Sequence, residues 1–437
     1  MKWDVNTMIH DDYTSVVSRF EKNRQSKSAL TVLYGYPGSG KTRACLEYCK
    51  RNPSSLYFGF RGFTADMALR IFTVKYPSVF ASPCDTWEDF FNALYEYAKR
   101  RTPVIFFDDA GERNDKPEFY TGIKWLCERF IEERIGLVAL TQEPWDKTQA
   151  VCLDGTIPRI SPPEITRFLP EWTVEDVFRL FSLADGNYAL ISEAEGASSF
   201  TDYLERVCND PHSAFMTLAP GWLDRVFRSP ESYHSLLYGI ACGRHYISEL
   251  SEFTGYPKNK CEKYLGALID AHLIAEDKPE GHRPRYLFQW TYISVWYQFV
   301  FASMGSTEGM SERIAEYVEE SLLPTVLHWE VMKWVHEKAY HKLHSASFTP
   351  DPKCENIRIN GVTFDYFGNT SDETIVAVAK VHFDDADWEK IERAIESRVM
   401  FYDAKIVLCS IHQFSRFYWR LNKKHDNIRL VQLKSMG

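Results

Sequence analysis

Residues 35–42 read Gly35-Tyr36-Pro37-Gly38-Ser39-Gly40-Lys41-Thr42, a complete G-x-x-x-x-G-K-[ST] loop, and the chain on either side fits it. Ala29-Leu30-Thr31-Val32-Leu33-Tyr34 reads as a buried strand, and Arg43-Ala44-Cys45-Leu46-Glu47-Tyr48-Cys49 reads as the helix that follows. Glycines let such a loop wrap a phosphate with backbone N–H groups pointing inward, while the helix presents its positive end to the anion. The spacing predicts contacts from every residue of Gly35–Thr42 and from Arg43. Lys41 is expected to reach the β- and γ-phosphates and the Thr42 hydroxyl to ligate Mg²⁺. The expected ligand is a nucleoside triphosphate, with ATP the default.

A second motif lies about 65 residues on. Val104-Ile105-Phe106-Phe107-Asp108-Asp109 is an apolar run ending in two carboxylates, the pattern of a Walker B strand. Asp108 is expected to hold Mg²⁺ through water, and Asp109 to polarise the attacking water as general base. Aspartate is shorter than the glutamate common at that place, so slow hydrolysis is expected. A third apolar strand, Ile135-Gly136-Leu137-Val138-Ala139-Leu140, ends in Thr141-Gln142. Thr141 reads either as a γ-phosphate sensor or as a plain strand-end cap.

The chain has 437 residues, 45% apolar and 15% aromatic, enough for two to four folded domains. Its net charge of −9 argues against a global polyanion-binding surface and leaves room for a local basic face. The ten cysteines show neither a C-x-x-C pair nor zinc spacing, and read as reduced thiols. No apolar signal core opens the chain, and the aromatic stretch 292–304 is too short to span a bilayer. A cytoplasmic protein without a membrane partner is expected.

An opening helix over 11–22 leads into the loop strand. A strand over 55–60, a helix over 87–100, the Walker B strand, a helix over 118–133, the Thr141 strand and a last strand over 156–160 follow. This alternation predicts a parallel sheet with helices on both faces, the loop lying at its C-terminal edge. From residue 161 the pattern turns helical: Thr173-Val174-Glu175-Asp176 resembles a capping box, and further helices run to about 227. Helices over 232–242, 247–253 and 259–272, then a hairpin with strands at 273–275 and 285–288, describe a winged helix-turn-helix.

This order of parts resembles the archaeal-type ATPases of the STAND class of P-loop NTPases, whose C-terminal part is similar to PD-(D/E)xK nuclease-like domains. Besides the two motifs, the likeness rests on Phe168-Leu169 and Phe181-Ser182-Leu183-Ala184-Asp185-Gly186-Asn187-Tyr188. It also rests on Leu237-Tyr238-Gly239-Ile240-Ala241-Cys242-Gly243, Tyr264-Leu265-Gly266-Ala267-Leu268, Arg285-Tyr286-Leu287-Phe288 and Val295-Trp296-Tyr297-Gln298-Phe299-Val300. The resemblance implies an α/β protein in four parts: a P-loop ATPase core over 1–160, a helical lid over 161–229, a winged helix over 230–300 and a nuclease-like α/β domain over 301–437. The chain departs from the pattern at 185–188, where Gly-Gly-x-Pro has become Asp-Gly-Asn-Tyr, and at Trp290, where the family often has Asp.

The resemblance also marks Glu330, Asp365 and Lys380 as counterparts of a nuclease centre. Val378 stands where the second strand acid belongs, so a dead centre is expected, unless Glu389 or Glu392 substitutes. DNA is a candidate partner through Lys258, Asn259, Lys260, Lys263, Arg283 and Arg285 of the winged helix. A second route is the basic tail Arg416, Arg420, Lys423, Lys424, Arg429 and Lys434, with Phe414, Phe417, Tyr418 and Trp419 between. Solvated faces are the plain alternative for both. Relatives often complete the site with a neighbour's arginine, which makes a homo-oligomer with Arg159 a further expectation. Three readings stand: a nucleotide-dependent switch, a DNA-acting ATPase of the origin-binding or transposition kind, and an ATP-regulated nuclease.

Overall fold

The computed structural model describes residues 30–109, 117–133, 136–141, 152–156, 159–278, 281–303, 305–330, 357–369, 374–398, 401 and 403–433. The chain divides into two compact units. One holds residues 1–160 together with 187–190, the other 161–186 together with 191–437. The expected helix over 11–22, Gln142 and Lys434 lie outside the described residues.

The first unit is built on a five-stranded, all-parallel sheet of order β2-β3-β4-β1-β5. Its strands are β1 (Leu30–Tyr34), β2 (Leu56–Gly59), β3 (Val104–Asp108), β4 (Gly136–Thr141) and β5 (Cys152–Thr156). Helices α1 (Lys41–Arg51), α2 (Ala65–Lys75), α3 (Trp87–Arg101) and α4 (Pro117–Glu133) connect them. Thr64 and Thr86 start α2 and α3 by accepting hydrogen bonds from Met67 N (3.3 Å) and Asp89 N (3.1 Å). Every residue of β3 is buried, as expected of a central parallel strand. Against one face packs an aromatic core of Phe58, Phe60, Phe72, Phe90, Phe107 and Phe119. Each such ring contributes roughly 1.5–3 kcal/mol by leaving water. One expectation is corrected here: the last strand is found at 152–156, not at 156–160, and 159–160 lie outside it. Helix α2 is not among the expected elements, its exposed Met67 and Val74 interrupting the apolar stripe.

The second unit opens with α5 (Pro162–Phe168), whose capping box joins Ser161 and Glu164. Next come α6 (Val174–Ala184), α8 (Phe200–Asn209) and α9 (Ala214–Val226), each started by a capping Thr or Ser: Thr173, Ser199 and Ser213. Between α6 and α8 the chain visits the first unit as α7 (Tyr188–Ser192), which begins in that unit. Helices α10 (Glu231–Ala241), α11 (Ile247–Thr254) and α12 (Lys258–Asp270) precede an antiparallel hairpin of β6 (Ile274–Asp277) and β7 (Arg285–Phe288). Helix α13 (Thr291–Val295) runs on into a π-helical turn at Trp296–Val300, and α14 (Met310–Tyr317) into another at Val318–Leu322.

Two hairpin strands, β8 (Ile357–Ile359) and β9 (Val362–Phe364), then precede a four-stranded sheet of order β10-β11-β12-β13. Here β10 (Tyr366–Asn369) and β11 (Thr374–Lys380) are antiparallel, while β11, β12 (Lys405–Ser410) and β13 (Ile428–Gln432) are parallel. The crossovers are α15 (Asp385–Glu396) and α16 (Arg416–Lys424). The protein is thus a mixed α/β chain, and among the described residues no helix is long and apolar enough to cross a membrane.

Candidate functional site

Parallel register brings the motifs to one sheet edge. Tyr34 pairs with Thr141 and Asp108 with Leu140, so β1, β3 and β4 end side by side. The glycine loop leaves β1 there and turns into α1, whose first residue is Lys41 and whose first turn carries no acid. Gly38 and Gly40 both sit in the left-handed region, at φ 81° and 90°. Lys41 is buried at 7% exposure, and its amine donates to the carbonyls of Gly35 (2.5 Å) and Tyr36 (3.2 Å). A buried ammonium needs such partners, and an anion in the loop would replace them.

The Thr42 hydroxyl donates to Asp108 Oδ2 at 2.5 Å, so the two residues expected to share a cation already touch. Asp108 is 3% exposed; its Oδ1 and the hydroxyl of buried Ser39 have no hydrogen-bond partner among the described residues. Buried acceptors left this way are costly unless a ligand supplies what they lack. The carboxylate oxygens and hydroxyls suit a hard divalent cation, and the backbone N–H groups of the loop and of the start of α1 suit phosphate. The residues present therefore fit a nucleotide with Mg²⁺. Asp109 follows at φ 56°, a conformation aspartate tolerates at a strand end. Arg43 points along α1 to Glu47 (3.2 Å), and Thr141 closes β4. Arg159 is exposed.

Two contributors escape a reading of the sequence. Tyr57 on β2 donates its hydroxyl to the same Asp108 Oδ2 at 2.5 Å. Burial first, and the Asp108 carboxylate second, push its phenol far above the ordinary tyrosine value, so it keeps its proton and remains a donor. Gly59, two residues on, makes the room: a Cβ there would stand 3.0 Å from that hydroxyl. A glycine inside a strand signals a close approach of this kind and is the available clue.

The other is Asn187, fully buried, whose amide donates to the Pro37 carbonyl at 3.0 Å. Its Oδ1 accepts from Ala189 N (3.0 Å), and Ala189 N also donates to Gly38 O (2.9 Å). A Cβ on Gly40 would meet the Tyr188 ring at 3.1 Å. Asn187 and Tyr188, in the segment where the chain departs from the pattern it resembles, thus contact the glycine loop itself.

In the second unit, β9, β11 and α15 gather Asp365, Lys380 and Asp387 at a cavity of about 770 Å³ that His328 also lines. Asp365 accepts from Ala379 N (2.6 Å) and has His328 Nδ1 at 3.3 Å. Lys380 donates to Asp387, which is 5% exposed. Val378, at 2%, is core. Glu389 is exposed and pairs with Arg393 (3.3 Å), so Asp387 and not Glu389 is the carboxylate on this side. Glu330 lies on the helix that carries His328 and does not line the cavity. Among the described residues no three His, Cys, Asp or Glu side chains are placed to hold a metal.

On the hairpin unit, Lys260 lies over the rings of Tyr256 (3.7 Å) and Tyr264 (5.3 Å), and Arg285 pairs with Asp277 (2.6 Å). Trp290 donates its indole N–H to His272 O at 2.7 Å.

No protein-family model matches the chain. It is 20% identical over 323 residues to an uncharacterised protein of Methanocaldococcus jannaschii, covering 66% of this chain and 68% of that one. Among solved structures it is similar to a STAND protein with a tetratricopeptide repeat sensor from Pyrococcus horikoshii (TM-score 0.32, 14% identity, 75% of this chain). This chain spans about half of that protein, 52%. It is also similar to the Aeropyrum pernix ORC1 protein in complex with DNA (TM-score 0.32, 12% identity, 73% and 94% of the two chains). Likeness at these scores assigns neither fold nor function, and the conclusions below rest on this chain's own residues.

Proposed function

We propose that this protein is an ATP-binding, slowly hydrolysing P-loop ATPase of the STAND/AAA+ kind that works as a nucleotide-dependent switch. The observation that carries ATP binding is the meeting of Thr42 and Asp108 beside buried Asp108 Oδ1 and Ser39 Oγ, which have no partner among the described residues. The backbone of Gly35–Thr42 and the start of α1 would hold the phosphates, with Lys41 turning from carbonyls to phosphate oxygens, and Thr42 and Asp108 would hold Mg²⁺. When bound, the cation would supply charge neutralisation for the phosphate chain. Asp109 takes the proton from the attacking water, and its short side chain keeps turnover slow.

The switch reading is supported by α6. Asp185, just past its end, accepts hydrogen bonds from Thr291 N and from Thr291 Oγ1 (3.0 Å), which ties it to the start of α13. Phe178 on α6 packs in one core with Leu323, Leu327, Tyr366, Val407 and Cys409 of the C-terminal part. Arg179 pairs with Glu319, and Glu175 with His412. Two residues after Asp185 the chain is Asn187, the residue that grips the glycine loop. Helix α6 is thus continuous in sequence with the loop's clamp and packed against α13, the turn at 318–322 and the C-terminal sheet. Within this proposal 161–229 serves as a lid, and 230–300 as a winged helix used for docking, since Lys260 and Arg285 are engaged within their own domain.

Asp109→Asn should bind ATP normally and lose turnover, because only hydrolysis needs the base. In that trapped state, hydrogen exchange of α6 and α13 should differ from the nucleotide-free protein. Identical exchange in both states would sink the switch. Stimulation of wild-type turnover by nucleic acid would favour the DNA-acting reading instead.

The C-terminal part is proposed to be a catalytically dead relative of PD-(D/E)xK domains. A cleavage centre needs clustered carboxylates to hold Mg²⁺ and a free lysine. Here Val378 supplies no ligand, and Asp387 neutralises Lys380 in place of completing a metal shell. No Mg²⁺- or Mn²⁺-dependent cleavage of single- or double-stranded DNA is expected, with or without ATP. Cleavage that vanishes in Asp365→Ala would defeat this part.

A further inference from the structure

Helix α16 has the sequence Arg416-Phe417-Tyr418-Trp419-Arg420-Leu421-Asn422-Lys423-Lys424 and contains no acid. Tyr418 is fully buried in the core of Phe383, Trp388 and Phe414, its hydroxyl donating to Asp384 O (2.7 Å), and Leu421 packs on the same core. That anchors one side of the helix. At 100° per residue, the opposite side carries Trp419, Lys423, Arg416, Arg420, Lys424 and Phe417 in that order around an arc of about 160°. All six are exposed, Trp419 at 51% and Phe417 at 36%. None of the four cations has an ion-pair or ring partner among the described residues.

A chain of net charge −9 therefore displays a band of four unpaired cations bordered on each side by an exposed aromatic. Solubility alone does not call for two large rings in water beside them. We propose that the outer face of α16 binds single-stranded nucleic acid, its cations taking backbone phosphates and Trp419 and Phe417 stacking on unpaired bases.

The chemistry favours this occupant. Cations track a polyanion, and rings at the borders of the cationic band meet bases that splay outward from the backbone. A duplex hides its base faces and would leave both rings unused. A membrane-surface helix needs its apolar face free for insertion, and that face is spent on the core through Tyr418 and Leu421. Strand binding on α16 lies beyond the switch proposal and does not depend on nucleotide.

The test uses the full chain with fluorescein-labelled oligo(dT) and oligo(rU), followed by anisotropy across a salt series. The wild type should bind single strands more tightly than a duplex of comparable length. Trp419→Ala should weaken binding about tenfold, as expected when one base stack is removed, and Trp419→Phe should restore most of it. Arg420→Glu with Lys423→Glu should flatten the salt dependence by more than about one unit of log–log slope, at about 0.7 for each phosphate no longer neutralised. Lys124→Glu, an exposed lysine of α4 outside this face, should leave binding unchanged. All these residues are exposed, and a thermal melt verifies that each variant is folded. No binding by the wild type overturns the proposal, as does binding indifferent to the α16 variants. Flotation with phosphatidylserine vesicles in the absence of oligonucleotide binding overturns it in favour of a lipid surface.

Discussion

Lys41→Ala is expected to lower ATP affinity by at least about a hundredfold. The amine now donates to two loop carbonyls, at 2.5 and 3.2 Å, from a site only 7% exposed. With phosphate present it would make two charge-assisted hydrogen bonds, each worth about 1.5–3 kcal/mol, so removing both costs two decades or more. The substitution leaves α1 intact, since alanine is the best helix former and the first-turn position asks for no capping side chain. Calorimetric titration with ATP·Mg²⁺ reads the affinity, and a melting curve without nucleotide reports the fold. Wild-type affinity in a folded variant would remove the phosphate-loop assignment and every proposal that stands on it.

What can be read from the sequence is what local chemistry dictates. A glycine-rich loop between a strand and a helix has few ways to be built, so Gly35–Thr42 and α1 fall where the spacing puts them. The Walker B strand is legible for the same reason: five consecutive buried residues leave no period but length, and two terminal carboxylates mark the edge. Helix α6 is legible from Thr173 and Asp176, a cap that acts within three residues.

What escapes depends on distance along the chain. Tyr57 and Asp108 are 51 residues apart and meet only because β2 and β3 are neighbours. Asn187 meets Pro37 across 150 residues. Both look ordinary in sequence, one a strand tyrosine and the other a departure from the family's Gly-Gly-x-Pro pattern. The sequence offers Glu389 or Glu392 as a substitute for the ligand missing at Val378, and Asp387, which it does not single out, is the carboxylate that meets Lys380. A capping box with Asp384 turns Asp387 inward and holds it there, while Glu389, two positions on, faces solvent. Helix phase decides that point, and phase depends on where the helix starts.

The second large effect is expected at Gly38, and a mutant cycle with Asn187 separates its two causes. Gly38→Ala places a methyl group in the left-handed region at φ 81°, a cost of about 1–2 kcal/mol for any L-residue. The same Cβ would stand 2.5 Å from Asn187 Oδ1 and 2.8 Å from Nδ2, distances real atoms do not keep. Asn187 is fully buried and cannot swing into solvent. Pushing it aside breaks its bond to Pro37 O and its cap on Ala189 N, adding about 1–3 kcal/mol. Gly38→Ala alone should therefore destabilise the first unit by about 2–5 kcal/mol and abolish ATP binding. Asn187→Ala alone, losing one cap and one hydrogen bond, should cost about 1–2 kcal/mol. In the double variant the collision is gone and only the backbone cost remains at position 38, so the sum of the singles should exceed the double by the collision cost of about 1–3 kcal/mol. Native-state hydrogen exchange of the α1 amides reads these differences within the first unit, free of the second unit's unfolding. Strict additivity would show that Asn187 sets no limit on the loop. The grip of the residues at 187–188 on Gly38 and Gly40 would then be contact without consequence, and the proposed switch would lose its route from the nucleotide to α6.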